Sequence, residues 1–409
     1  MERLYWNNDW KFAETWEEAM KEAVYPENEM EDVRLPHTCK ELPYHYFDEH
    51  AYQMLCGYRR HFMAPEAWQG KSVELTFEGV AHDAVVYVNG TEVKAHHCGY
   101  TAFFVEIAKY LKYGEDNVLA VRVDSRENLN IPPFGYAIDY MTFGGMYREV
   151  YVQVRNKTHL ADVFVKPQIH PLQVTTEITV QNISDGITLQ QEIRKKGEGA
   201  YSPLGKKPVK QTNVQTVFPV QEIRLWEPEN PYLYEIRTSL WKNGEMIDAR
   251  VDITGFREAG FRKDGFYLNG KKLRLRGLNR HQSYPYVGYA APASMQIFDA
   301  DILKKELGVN AVRTSHYPQS QDFIRRCDEI GLLVFTEFPG WQHIGDEEWK
   351  RQAVQNLREM IVQYRNHPSI ILWGVRINES QDDDVFYRET NRVAHELDDT
   401  RATGGVRML

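Results

Sequence analysis

A chain of 409 residues has room for roughly two to four domains, and 42% hydrophobic with 26% charged residues is a globular composition, not a disordered or fibrous one. A net charge of −9 argues against a nucleic-acid-binding surface, because neutralising phosphates takes clustered Lys and Arg. No run approaches the roughly 18 apolar residues that span a membrane, and the start of the chain lacks a basic segment followed by an apolar one.

The first third alternates with period two. Val73, Leu75 and Phe77 take one face against Glu74, Thr76 and Glu78, and Leu119, Val121 and Val123 alternate with Ala120, Arg122 and Asp124. Asn89-Gly90 after the apolar run at 85–88 is a two-residue hairpin, since both residues accept the positive φ such turns need. His96-His97 reads as a surface loop pair. Short strands with turn punctuation predict a β-sandwich over 1–156. Strands are expected next over 161–166, 174–181, 232–241 and 246–253, which suits an immunoglobulin-like sandwich over 157–257. The Lys- and Gly-rich stretch 191–210 reads as an exposed excursion, and the two prolines in 225–234 as a bend before a strand. Aromatic residues reach 12%, which serves either sugar stacking or an all-β core.

From residue 258 the rhythm changes. Apolar strands over 273–277, 310–313, 332–335 and 370–373 alternate with helices over 300–307, 320–330, 347–364 and 384–397, and Gly308 and Gly331 close the first two helices. A fifth strand is expected after Thr400. This alternation predicts βα units and a parallel sheet. The four cysteines, Cys39, Cys56, Cys98 and Cys327, have no metal spacing and are expected as free thiols in a reducing cytoplasm.

Two of these strands end in polar groups. One run leads through Asn310, Arg313, Ser315, His316, Tyr317 and Pro318 to Phe323-Ile324, Asp328 and Gly331; the other starts at Arg365 and ends in Asn378-Glu379. In order and spacing they resemble the two signatures of glycoside hydrolase family 2, the family of β-galactosidases, β-glucuronidases and β-mannosidases. The stretches 225–233 and 277–281 are similar to further family landmarks, so the resemblance covers nearly the whole chain. It implies a multidomain protein: a jelly-roll-like, sugar-binding-type β-sandwich over 1–156, an immunoglobulin-like β-sandwich over 157–257, and the first half of a TIM (β/α)8 barrel over 258–409.

The activity implied is that of a retaining exo-β-glycosidase, with β-galactosides as first choice of substrate and β-glucuronides or other β-uronides as the alternative. No cofactor is implied, the partner is a carbohydrate, and the family often forms homo-oligomers at full length. The family's nucleophile is a glutamate after the seventh barrel strand, expected beyond residue 409, so this chain is expected to be inactive alone. A reading of another class is a non-hydrolytic carbohydrate-binding fragment or subunit, since a half-barrel exposes a strand edge and apolar faces.

Glycoside hydrolysis takes two carboxyl groups. By resemblance Glu379, beyond the end of a strand where barrels place catalytic groups, is the general acid/base; otherwise it is a solvated loop glutamate. Asn378 is to contact the sugar 2-hydroxyl, His316 to line the sugar site and Arg313 to order carboxylates near it. His281 either joins them or is a satisfied buried histidine. Asp139, nine residues before Arg148, is expected to reach into the barrel mouth, or else caps a turn. Glu337 follows the third strand, and neighbouring strands about 4.8 Å apart would suit the roughly 5 Å of a retaining carboxylate pair. The family nevertheless makes it a residue lining the site. Magnesium-dependent relatives place Glu and His ligands where this chain has Trp341 and His343, so no magnesium site is expected; Trp341 either stacks on a sugar or packs in its loop.

Overall fold

The structure, a computed structural model, describes residues 3–45 and 48–408. Two antiparallel sheets form the first sandwich. One runs Leu4–Tyr5, Val150–Arg155, Ser72–Phe77, Phe103–Glu106; the other runs Glu31–Val33, Trp10–Ala13, Leu55–Met63, Asp116–Asp124, Asp83–Val88, Thr91–His96. Val73, Leu75, Phe77, Leu119, Val121 and Val123 fill the core between them, as their alternation requires. Asn89 and Gly90, at φ 50° and 84°, turn the hairpin between Asp83–Val88 and Thr91–His96.

The second sandwich sets His159–Gln168, Gln173–Gln181 and Asn213–Pro219 against Ser202–Pro208, Ile187–Lys195, Tyr234–Lys242 and Glu245–Thr254. This corrects the reading of 191–210 as an excursion: Ser202–Pro208 is an edge strand paired with Ile187–Lys195. Its lysines mark an edge kept in solvent, not a loop. Gln191 is fully buried because three strands satisfy its amide: Nε2 donates to the hydroxyls of Thr176 and Thr238, and Oε1 accepts from Thr216 at 2.6 Å.

The third region is a parallel sheet of five strands in sequence order: β1 (Gly277–Arg280), β2 (Ala311–Thr314), β3 (Leu333–Glu337), β4 (Ile370–Gly374) and β5 (Ala402–Gly404). Between them lie α1 (Ala293–Asp301), which runs on into a π turn over Ile302–Glu306, α2 (Gln321–Ile330), α3 (Glu347–Tyr364) and α4 (Asp384–Leu397). Ser320 caps α2 and Asp346 caps α3, the latter accepting from the amides of Glu348 and Trp349 at 3.0 Å. Gly331 ends α2 at φ 71°, and any Cβ there would stand 2.3 Å from the Pro228 carbonyl oxygen, so the position requires glycine. The first strand lies at 277–280, not 273–277, because Leu273 and Leu275 pack into a cluster around Trp226 and Phe266 below the sheet. The first helix starts near Pro292, earlier than expected.

Polar groups join the three regions. Arg148, 5% exposed, donates from Nη1 to the carbonyls of Glu78 and Tyr100 in the first sandwich. Its Nη2 donates to Gln282 Oε1 and the Pro318 carbonyl, beyond the ends of β1 and β2. His96 is buried, which corrects its reading as a loop residue: Nε2 lies 3.0 Å from Glu359 of α3, and its ring stacks on Phe103. His97 stays exposed and pairs with Asp83. From the second sandwich, the Val165 amide donates to Asn366, whose Nδ2 donates to the Val163 carbonyl and Asp252.

Replacing Arg148 with Met should cost about 3 kcal/mol in denaturant unfolding, because four acceptors lose a charged donor in a dry interface. Asp398 gives a pH-dependent term. Burial alone would raise its pKa, but Arg401, Thr400 and Trp373 together hold it down to about 2. A depressed carboxyl contributes stability above its unfolded pKa and loses it as pH falls through the folded one. Roughly 2 kcal/mol should therefore disappear between about pH 4 and pH 2, and acid titration of Asp398→Asn should lack that component.

Candidate active site

β2 and β3 end side by side, with Arg313 opposite Phe335 and Thr314 opposite Thr336. Glu337, the last residue of β3, is 1% exposed, and a lone carboxylate so placed is costly. Arg313 and His316 compensate it. Arg313 Nη2 stands 2.8 Å from both carboxylate oxygens and Nε 3.1 Å from Oε2, and His316 Nδ1 is 2.7 Å from Oε1. The same ring nitrogen lies 3.3 Å from Arg313 Nη2. Arg313 Nη2 also donates to Asn378 Oδ1 at 2.6 Å. Asn378, 2% exposed, keeps its Nδ2 buried without a partner among the described residues, a donor free for a ligand.

Past the end of β4 the chain turns sharply, and Glu379 stands half-buried at φ 51°. Its amide donates to the Val406 carbonyl at 2.9 Å, and its Oε2 accepts from Gln342 Nε2 at 3.3 Å. The loop after β3 bonds to the same turn through the Trp341–Asn378 backbone bridge, and the Trp341 ring lies 4.9 Å from that of His316.

The first sandwich closes one side of this mouth. The Tyr140 ring stands 5.1 Å from that of His281 and 6.0 Å from that of His316. Asp139 is exposed beside them. Partial burial is the main reason its pKa is raised; His316 opposes the shift and Glu379 adds to it, so the three groups share one field. His281 is pushed down to about 4, chiefly by burial and then by the charges of His316, Arg313 and Arg280, so it is neutral near pH 7. Its Nδ1 lies 3.1 Å from the Tyr317 hydroxyl. A cavity of about 720 Å³ opens here, lined among others by Leu42, Tyr44, Asp139, Tyr140, Phe143 and His281.

Arg313, His316, Glu337, Trp341, Asn378, Glu379, Asp139 and His281 are thus gathered at one end of the sheet. Two neighbours were not anticipated. Tyr140 is signalled only by adjacency to Asp139, and Gln342 by nothing in the sequence, since a loop glutamine resembles any other. His343 packs edge-on against Tyr136 and Trp349 at 5.0 and 5.7 Å. Among the described residues no three His, Cys, Asp or Glu side chains cluster as a metal site would require.

Residues 32–155, 158–257 and 260–406 match, respectively, the sugar binding domain of glycosyl hydrolases family 2, the model named for that family alone, and its TIM barrel domain. A β-galactosidase of Thermoanaerobacter pseudethanolicus is 48% identical over 99% of this chain and 56% of its own length. One from Thermoanaerobacterium thermosulfurigenes is 47% identical over 98% of this chain and 58% of its own. A solved structure of Bacteroides uniformis β-glucuronidase 2, covalently bound to cyclophellitol-6-carboxylate aziridine, superposes with a TM-score of 0.89 at 28% identity, covering 99% of this chain and 52% of that one. The chain spans little more than half the length of these relatives.

Removing one partner of the buried pair should cost more than removing both. Glu337→Ala should lower stability by about 3–5 kcal/mol, and Arg313→Met/Glu337→Leu by clearly less than the two single changes summed, as read by a double-mutant cycle in denaturant.

Proposed function

Because this chain belongs to glycosyl hydrolases family 2, we propose that it supplies the acid/base side of a retaining exo-β-glycosidase acting on terminal β-linked sugars, with Glu379 giving the proton to the leaving oxygen. The observation that carries this reading is the contrast between two carboxylates. Glu337 is buried and both of its oxygens are engaged by Arg313 and His316, so little of it is open to a sugar carbon. Glu379 stands half-exposed beyond β4, its carboxylate bonded by the neutral amide of Gln342, where it can exchange a proton with a substrate. In this reading the nucleophile is the family's glutamate after the seventh strand; the described sheet holds five. Glu379, ionised after the first step, later takes a proton from the water that releases the covalent sugar.

The other residues take binding roles. The unpaired Asn378 amide donates to the sugar 2-hydroxyl, Asp139 and the neutral His281 bond further hydroxyls, His316 lines the site, and Trp341 offers a flat face beside it. β-Galactosides are the preferred substrates, on the names of the relatives at 47–48% identity. β-Glucuronides are the second reading, on the name of the β-glucuronidase that superposes at 0.89. We also propose division at 156/157 and 257/258, work in a reducing cytoplasm in keeping with four free buried cysteines, and homo-oligomers at full length.

In the full-length protein, Glu379→Gln should lower kcat on an alkyl or disaccharide β-galactoside about 10²- to 10⁴-fold, with the first product of the wild-type enzyme retaining the β configuration by NMR. Undiminished turnover in that variant would remove Glu379 from the chemistry. No turnover by the wild-type protein, with sugar still bound, would favour the carbohydrate-binding reading.

A further inference from the structure

Positive φ is rare outside glycine, asparagine and aspartate, and side chains forced into it gather where function demands it. Asp9, Asn89, Asn182, Asn243 and Asn269 are of the tolerant type. The remaining non-glycine residues with positive φ among the described residues are Phe143, Tyr286, Gln342 and Glu379. All four border the barrel mouth: Phe143 lines the cavity, the Tyr286 amide bonds the carbonyl of cavity-lining Leu42, and Gln342 and Glu379 face each other across two loops.

Gln342 and Glu379 have nearly the same backbone conformation, φ 52° and 51°, and both are held there by bonds between loops. The Gln342 amide donates to the Asn378 carbonyl at 2.8 Å beside the Trp341–Asn378 bridge, and the Glu379 amide donates to the Val406 carbonyl. The two side chains then meet, Gln342 Nε2 donating to Glu379 Oε2 at 3.3 Å. We infer that Gln342 is a positioning residue for the acid/base, an inference that rests on the role proposed for Glu379. Its amide holds Oε2, fixes the plane of the carboxyl group and leaves Oε1 as the oxygen that passes the proton to and from the substrate.

Glutamine suits this task for a chemical reason. In a double displacement the acid/base is protonated before the leaving group departs and ionised afterwards. With the proton carried on Oε1, Oε2 accepts a hydrogen bond in both states, so one N–H of the side-chain amide serves either. It does so without adding a charge that would favour one state. A Glu at 342 would repel the ionised form, and a Met would fill the space without bonding either.

The test compares Gln342→Met and Gln342→Asn with the wild type in the full-length protein. Asn accepts positive φ more readily than Gln, so Gln342→Asn keeps the backbone while its amide falls one methylene short. The substrates are a disaccharide β-galactoside, whose leaving group needs the proton, and the 2,4-dinitrophenyl β-galactoside, whose leaving group does not. Both variants are expected to lose about 10- to 100-fold in kcat/KM on the disaccharide and less than about 3-fold on the dinitrophenyl substrate, at unchanged melting temperature. Equal loss on both substrates would mean that Gln342 only supports the fold, and no loss on either would mean that the contact is idle; each overturns the inference. Glu379→Gln run alongside separates the causes. If it leaves disaccharide hydrolysis intact, the proposed role of Glu379 fails; if it abolishes hydrolysis while both Gln342 variants match the wild type, only the positioning role fails.

Discussion

A buried negative charge at the end of β3 organises the barrel mouth. Glu337 has almost no contact with water, so its ionised form depends on cations that reach it through the protein. Arg313, on the neighbouring strand, meets both oxygens, and His316 takes the remaining position. With its fork directed at Glu337, Arg313 also donates to Asn378. One ion pair thereby sets the ring of His316, the amide of Asn378 and, through the Trp341–Asn378 bridge, the loop beside Glu379. The mouth thus holds one carboxyl paired in the interior and another left half-exposed.

The mouth is not built by the barrel alone. Arg148 reaches from the first sandwich to carbonyl and amide oxygens directly after His281 and Tyr317. It therefore holds against the sandwich the same loops that carry the two histidines of the site. Asp139 and Tyr140 of the first sandwich come close to the same two histidines. His96 and Thr101 grip Glu359 on α3, and Asn366 ties the second sandwich to the segment before β4. Each link satisfies groups that would otherwise be buried unpaired, so the domains lock in one arrangement and the site spans two of them.

Much of this was readable in the chain. Period-two alternation located strands of the first sandwich, four strands of the second were expected in place, and helical spacing gave α3 its bounds. Asn89-Gly90 and Gly331 marked turns because their backbone conformations exclude most other residues. The side chains gathered at the end of the sheet were named by resemblance. The errors have physical causes: 191–210 looked like an excursion because two of its lysines and a glycine sit on a solvent-facing edge strand, and His96 looked like a loop residue because its partner lies 263 positions away. Leu273 and Leu275 mimicked a strand while serving a cluster between domains.

By itself, then, the sequence determined the order of sandwich, sandwich and parallel sheet, the alternation of strand and helix, and the polar residue types at the ends of β2, β3 and β4. Those properties are local, set by periodicity, turn chemistry and neighbouring positions. Only the tertiary structure decided that Glu337 is neutralised while Glu379 is left half-open, that the Asn378 amide lacks a partner, and that Gln342 reaches Glu379. Burial, pairing and the reach of a side chain are relations between segments far apart in the chain, and no local pattern encodes them.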